Sequence, residues 1–188
     1  MSATRRRRRL DGADPGAEAP ASERGLRADA QRNRDRLLAA AAECFAEQGL
    51  DASVDEIARR AGVGHGTVFR RFPTKDALLQ AVLAQELGAI AAEAEVGLAD
   101  ADPWAGFERF FRAAAEAYGR NRALVEGGFE RCETPPEKAQ LLESADRLVR
   151  KAQETGALRP GLSTADVFDL VPAASRHPDV IVAGLRSG

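Results

Sequence analysis

Between residues 64 and 75 the chain sets out, in order, Gly64, His65, Gly66, Thr67, Arg70, Arg71 and Lys75. An imidazole and a hydroxyl both donate and accept hydrogen bonds, and here they stand between glycines that add no bulk. A flat polar surface such as a base-pair edge can therefore approach the backbone closely. The guanidinium and ammonium groups that follow match phosphate oxygens in charge and geometry. Such a set recognises; it does not make bonds. The sequence has no Ser/His/Asp or Cys/His arrangement and no GxxxxGK phosphate loop. Paired carboxylates such as Asp55/Glu56 and Glu93/Glu95 fall where helix caps and solvated faces are expected. The pattern points away from an enzyme, and no cofactor or metal site is expected.

Two short helices must position these groups. Ser53-Val54-Asp55-Glu56 reads as a capping box, with the Ser53 hydroxyl accepting from the Glu56 N–H and the Glu56 carboxylate reaching back. Ala61-Gly62-Val63-Gly64 supplies a turn, a further helix covers Gly66 to Phe72, and Pro73 with Thr74 closes it and caps the next. Val54, Ile57, Ala58, Val63 and Val68 form the expected buried seam. Two helices joined by a glycine-containing turn make a helix-turn-helix, whose second helix lies in the DNA major groove. His65 and Thr67 then face base edges, although His65 also suits an ordinary surface histidine. Arg70, Arg71 and Lys75 hold phosphates, and the N–H groups at the Ser53 end can take another. A longer helix, about Asp29 to Gln48, precedes the motif; its apolar stripe is Leu38, Ala41, Ala42 and Phe45, and its opening turns carry Arg32, Arg34 and Arg36.

From Arg34 to Leu79 the stretches "RLLAAAAECFAEQG" and "SVDEIARRAGVGHGTVFRRFPTKDALL" resemble the tetracycline-repressor (TetR) family of bacterial transcriptional regulators. They match a first helix ending in F-x-x-x-G, an "IAxxAGVxxGTxYxxF" core and a following "K-x-x-L". Phe69 departs from the pattern where many members have a phosphate-contacting tyrosine, and Arg71 where many have histidine. The resemblance implies a DNA-contacting set of Arg34, Ser53, Gly64, His65, Gly66, Thr67, Phe69, Arg70, Arg71 and Lys75. It also implies a second lobe that binds a small-molecule effector and pairs two subunits into a homodimer on a near-palindromic duplex operator. The function implied is a repressor released from its operator by the effector; the alternative is a ligand-independent architectural DNA binder.

The remainder is helical in pattern, so the fold expected is all-α: a tail over 1–28, a three-helix DNA-binding domain over 29–80, and a helical effector-binding and dimerisation domain over 81–188. The tail is expected to be disordered, and its Arg5–Arg9 run suits either a nucleic-acid arm or a solvated leader. A helix from Lys75 to about Val96 links the lobes. The next, Pro103 to Arg120, carries Trp104, Phe107, Phe111, Ala114 and Tyr118 on one stripe, a spacing that suits a plain core or pocket walls. With Phe129, the aromatics Trp104, Phe107, Phe111 and Tyr118 are the candidate effector contacts. "GALRPGLSTADV" resembles the family's linker before its eighth helix. Beyond Gly161, Pro172 and Pro178 break the pattern, so a shortened C-terminal end is expected in place of a full pair of long dimer helices.

Charge divides in the same way. Through residue 80 there are 15 Lys+Arg against 12 Asp+Glu, and beyond it 12 against 17, within a net charge of -2. The cationic part can meet phosphates while the acidic part stays off them. No apolar run approaches the roughly 20 residues that cross a bilayer, and no secretory signal is evident; a cytoplasmic protein without a membrane partner is expected. Cys44 and Cys132, without CxxC or His spacing, are expected as reduced, packed thiols.

Overall fold

The computed structural model describes residues 21–131 and 133–187, without the side chains of 21–28, 129 and 130. Its elements in chain order are α1 (Ala21–Gln48), a 3-10 turn (Gly49–Asp51), α2 (Val54–Ala61), α3 (His65–Arg71), α4 (Lys75–Ala99), α5 (Pro103–Arg120), α6 (Arg122–Arg131), α7 (Pro136–Glu154), α8 (Thr164–Ala174) and α9 (Pro178–Leu185). Among the described residues the only extended pairing is an isolated antiparallel bridge, Leu158 with Arg186. The fold is all-α.

The described residues fall into two compact units, one up to Arg34 and the other from Asp35 onward. The first contains the opening of α1, where Arg32 pairs with Asp29. Helix α1 begins at Ala21, so residues 21–28, expected in the tail, belong to it. The rest of that expected tail, Arg5–Arg9 included, lies outside the described residues.

The second unit holds two apolar cores. One gathers Leu38, Ala41 and Phe45 of α1, Ile57 and Ala58 of α2, Val68 of α3, the start of α4 and Leu124 of α6. The other gathers Ala91 and Ala94 of α4, the aromatic stripe of α5, Leu141, Ala145 and Leu148 of α7, and residues of α8 and α9. Helix α4 belongs to both. By length and composition it could span a membrane, yet Leu78, Leu79, Val82 and Leu83 are spent on the first core and Ala91 and Ala94 on the second. At its far end α4 meets α5 backbone to backbone. A Cβ added at Gly97 would stand 2.7 Å from the Gly106 carbonyl oxygen, and one at Gly106 would stand 2.5 Å from that of Gly97. Only glycine permits that approach.

The capping box lies elsewhere than expected. Ser53 does cap α2, but its hydroxyl accepts from the Asp55 N–H at 3.2 Å. Glu56 cannot reach back, because Arg59 takes its carboxylate through two bonds of 2.9 and 2.6 Å. The reciprocal box opens α8 instead: Ser163 Oγ accepts from the Asp166 N–H at 3.1 Å while Asp166 accepts from the Ser163 N–H at 2.8 Å. The Ser163 hydroxyl, which donates to the Asp166 carboxylate at 2.6 Å, and the Ser163 N–H hold that carboxyl below its ordinary range. Pro172 falls in the last turn of α8 and Pro178 opens α9, where a missing N–H costs nothing. Both C-terminal helices are short, at 11 and 8 residues.

Candidate nucleic-acid interface

Helix α2 ends at Gly62, whose φ of 67° is left-handed and suits glycine. The Val63 N–H returns to the Ala58 carbonyl at 3.0 Å, and Gly64 then leads into α3 without a side-chain cap. This tight reversal packs Val68 against Ile57 and Ala58 in the first core and leaves the other face of α3 bare. Gly64, His65, Gly66, Thr67, Phe69, Arg70 and Arg71 are all exposed. Lys75, half-buried, begins α4 behind the Thr74 cap.

The bare face is internally organised. His65 Nδ1 is 2.5 Å from an Asp55 carboxylate oxygen, and the imidazole lies 4.7 Å from the Phe69 ring. With Nδ1 held by the carboxylate, Nε2 is the nitrogen available to an incoming partner. Thr67 Oγ1 accepts from Arg70 at 2.9 Å, leaving the hydroxyl proton to donate. Phe69 supports the histidine ring and offers no hydroxyl to a phosphate.

Asp55 is the contributor that sequence patterns missed. It stands ten positions before His65 in the chain, and only the turn brings them together. Asp55 and Glu56 also fill the first turn of α2, and their charge opposes a phosphate at the Ser53 end. Arg34 falls in the first unit and is half-buried.

Ion pairs brace the motif. Arg60 of α2 donates to both carboxylate oxygens of Glu47 on α1, each at 2.8 Å, and approaches Glu56 at 3.5 Å. Hydrogen bonding from Arg60 holds the Glu47 carboxyl below its ordinary range, and Arg59 does the same for Glu56. Cys44 is buried beneath this clamp, and desolvation pushes its thiol up, as for an inert packed cysteine. Cys132 lies outside the described residues.

Residues 37–82 match the profile of bacterial regulatory proteins of the tetR family, and residues 102–186 match the C-terminal domain of SbtR-like transcriptional regulators. The HTH-type transcriptional regulator UidR of Escherichia coli K12 is 30% identical over 151 residues, spanning 74% of this chain and 76% of that protein. The chain belongs to the TetR family. The crystal structure of a TetR transcription regulatory protein from Mycobacterium vanbaalenii superposes with a TM-score of 0.71 at 37% identity, covering 86% of this chain and 99% of that one. The TetR transcriptional regulator SCO0520 from Streptomyces coelicolor gives 0.62 at 27%, covering 82% and 98%. This TetR-family protein is thus a helix-turn-helix transcriptional regulator and not an enzyme; the family typically acts as ligand-responsive repressors and forms homodimers.

In the second lobe of this TetR-family regulator a cavity of about 530 Å³ opens between α4, α5, α6, α7 and α8. Of the aromatics expected to contact an effector, Tyr118 lines it. Trp104, Phe107 and Phe111 do not; they are buried in the second core, ring against ring at 5.8 and 5.9 Å. Their side of α5 packs against neighbouring helices, and a period of 3.6 cannot tell such packing from a pocket wall. Phe129 has its backbone in α6, and its side chain lies outside the described residues. The walls include Leu87 and Ile90 of α4, Leu141 of α7 and Phe168 of α8, with Glu86 and Asn121 as polar groups.

Proposed function

We propose that this chain works as a cytoplasmic homodimer that represses transcription from a near-palindromic operator and lets go when a small molecule fills the cavity beside α4. His65 and Thr67 touch base edges, Gly64 and Gly66 admit the groove wall, and Phe69 fixes the imidazole. Arg70, Arg71 and Lys75 hold phosphates. Residues 29–80 serve as the DNA-binding domain and 81–188 as the effector and dimer domain.

One observation carries the proposal: α4 is continuous from Lys75, at the edge of the exposed cationic face, to Ile90 in the cavity wall. Helix α6 gives a second connection. Val125 lines the cavity, Leu124 is buried in the first core, and a Cβ on Gly127 would stand 2.7 Å from Leu50 Cδ1 in the turn before α2. A ligand that favours one setting of α4 and α6 therefore biases one placement of α3, and a ligand that fits both settings equally shifts nothing. The ligand-independent alternative finds no support in a second lobe with an apolar cavity of ordinary ligand size.

The test is selection from a random duplex pool, then calorimetric titration of the effector with and without the recovered operator. The expected motif is near-palindromic, with half-sites about 34 Å or a multiple apart. Operator and effector should weaken each other by one and the same factor, for a coupling of about 1–3 kcal/mol. Failure to enrich any motif at moderate salt refutes operator recognition, and identical effector affinities in the two titrations refute the switch.

A further inference from the structure

We infer that the cavity beside α4 is built for a lipophilic amine, a molecule with an apolar body and one protonated nitrogen that donates to the Glu86 carboxylate and the Asn121 carboxamide oxygen. This rests on that cavity being the effector site and adds the chemical class of the effector.

The argument begins with the placement of one carboxylate. Glu86 stands beside Leu83, Leu87 and Ile90 in a mostly apolar lining that also holds Asn121, Lys138 and Asp169. Its Oε2 accepts from Asn121 Nδ2 at 3.0 Å. Among the described residues no cation pairs with it within 4 Å. Arg120 is near enough for its field to act on Glu86, but that side chain is 62% exposed and sits beside Glu116 at 3.9 Å. Burial accordingly pushes the Glu86 carboxyl up, against the smaller opposing effects of Arg120 and Asn121.

Asn121 is itself 4% exposed. Because its amide nitrogen faces the carboxylate, its Oδ1 is left as an acceptor. Glu86 Oε1 and Asn121 Oδ1 are thus two acceptors that share one polar spot on an apolar surface, and what they lack is a donor. Of the other polar groups in the lining, the Tyr118 hydroxyl donates to Glu126, and Lys138 and Asp169 add one charge of each sign.

An anion would meet the Glu86 field. A neutral body would close over a carboxylate without a counter-charge, which is costly in an apolar site. A protonated amine supplies both the charge and the N–H groups, and its hydrocarbon fills the walls. Tyr118 and Phe168 also line the cavity, and aromatic rings attract a cation over their faces.

The test uses four probes with the same twelve-carbon chain, titrated calorimetrically into the full chain: dodecylamine, dodecyltrimethylammonium, dodecanol and dodecanoate. Dodecylamine should bind about tenfold or more tighter than dodecanol, as expected for one charge-assisted hydrogen bond, with dodecanoate weakest. Dodecyltrimethylammonium, charged but without an N–H, should fall between the amine and the alcohol. In Glu86→Gln, which keeps the Asn121 bond and removes the charge, the amine preference should vanish while dodecanol affinity holds. Glu143→Gln, which removes an exposed carboxylate of α7, should keep the preference. Equal binding of amine and alcohol, or a preference that survives Glu86→Gln, overturns the amine class and leaves the cavity as the effector site. Binding of none of the four overturns both.

Discussion

Helices α4 and α5 cross backbone to backbone at Gly97 and Gly106, and a single methyl tests how far that crossing constrains the fold. In Gly97→Ala the new Cβ would lie 2.7 Å from the Gly106 carbonyl oxygen and 3.1 Å from both the Gly106 carbonyl carbon and Leu148 Cδ2. Ordinary contact begins near 3.4 Å, so the two backbones must part by about 0.7 Å, and neither obstructing backbone atom can rotate aside. Overpacking of this kind costs about 1–3 kcal/mol. Alanine returns part of that through helix propensity, up to about 1 kcal/mol over glycine. Gly184 in α9 isolates the propensity gain, since a Cβ there meets nothing within 4 Å. Gly184→Ala should therefore hold or raise Tm, whereas Gly97→Ala should lower it by a few degrees, at about 2–4 °C per kcal/mol for a chain of this size. Gly106→Ala should be at least as damaging, because its Cβ would come to 2.5 Å from the Gly97 oxygen. Calorimetric melts of the three variants beside the parent decide it. If Gly97→Ala melts at or above the parent while Gly184→Ala behaves as stated, the close crossing does not constrain the fold.

Asp55→Ala should leave stability within about 0.5 kcal/mol, because the pair it forms with His65 is largely exposed, yet it should relax operator preference at the same base positions as His65→Ala; distinct positions in a binding-site selection would refute the positioning role. Arg71→Ala and Lys75→Ala should weaken binding to all sequences alike and flatten the salt dependence by about one unit each, and a change of preference with an intact slope would show a base contact instead. Glu86 has a folded-state pKa raised above the ordinary 4.5, so its burial costs stability that is absent below that value and grows as pH rises through the folded pKa. Glu86→Gln should accordingly raise Tm at pH 7 and leave it nearly unchanged at pH 4, and melts at the two pH values check this. Glu47 has the opposite sign: its carboxyl is held below 4.5 by Arg60, so the stability it adds is present above 4.5 and lost as pH falls through the lowered value. Glu47→Gln should thus cost Tm at pH 7 and little at pH 3, and an equal loss at both would mean that charge plays no part in the clamp.

Local chemistry made much of the DNA-binding half legible in the sequence. Ser53 as a cap, Gly62 in a left-handed turn and Val68 on the buried face follow from hydroxyl geometry, from the missing Cβ and from helical period. A tight turn leaves few ways to join two short helices, so the polar groups left over on α3 had one face to occupy. Fold class and family were readable for the same reason. Contacts between distant positions were not. Asp55 reaches His65 only after the chain reverses, and Glu56, one residue on, is drawn from its expected capping role by Arg59 and Arg60. In the second lobe the period of the α5 stripe marked burial without saying against what. Tertiary packing placed Trp104, Phe107 and Phe111 in the core and brought Glu86 of α4, Asn121 of the α5–α6 junction and Phe168 of α8 into the cavity wall. A helical period specifies a face; which neighbour fills that face, and where the filling falls short and leaves a cavity, is decided only when all the helices are in place.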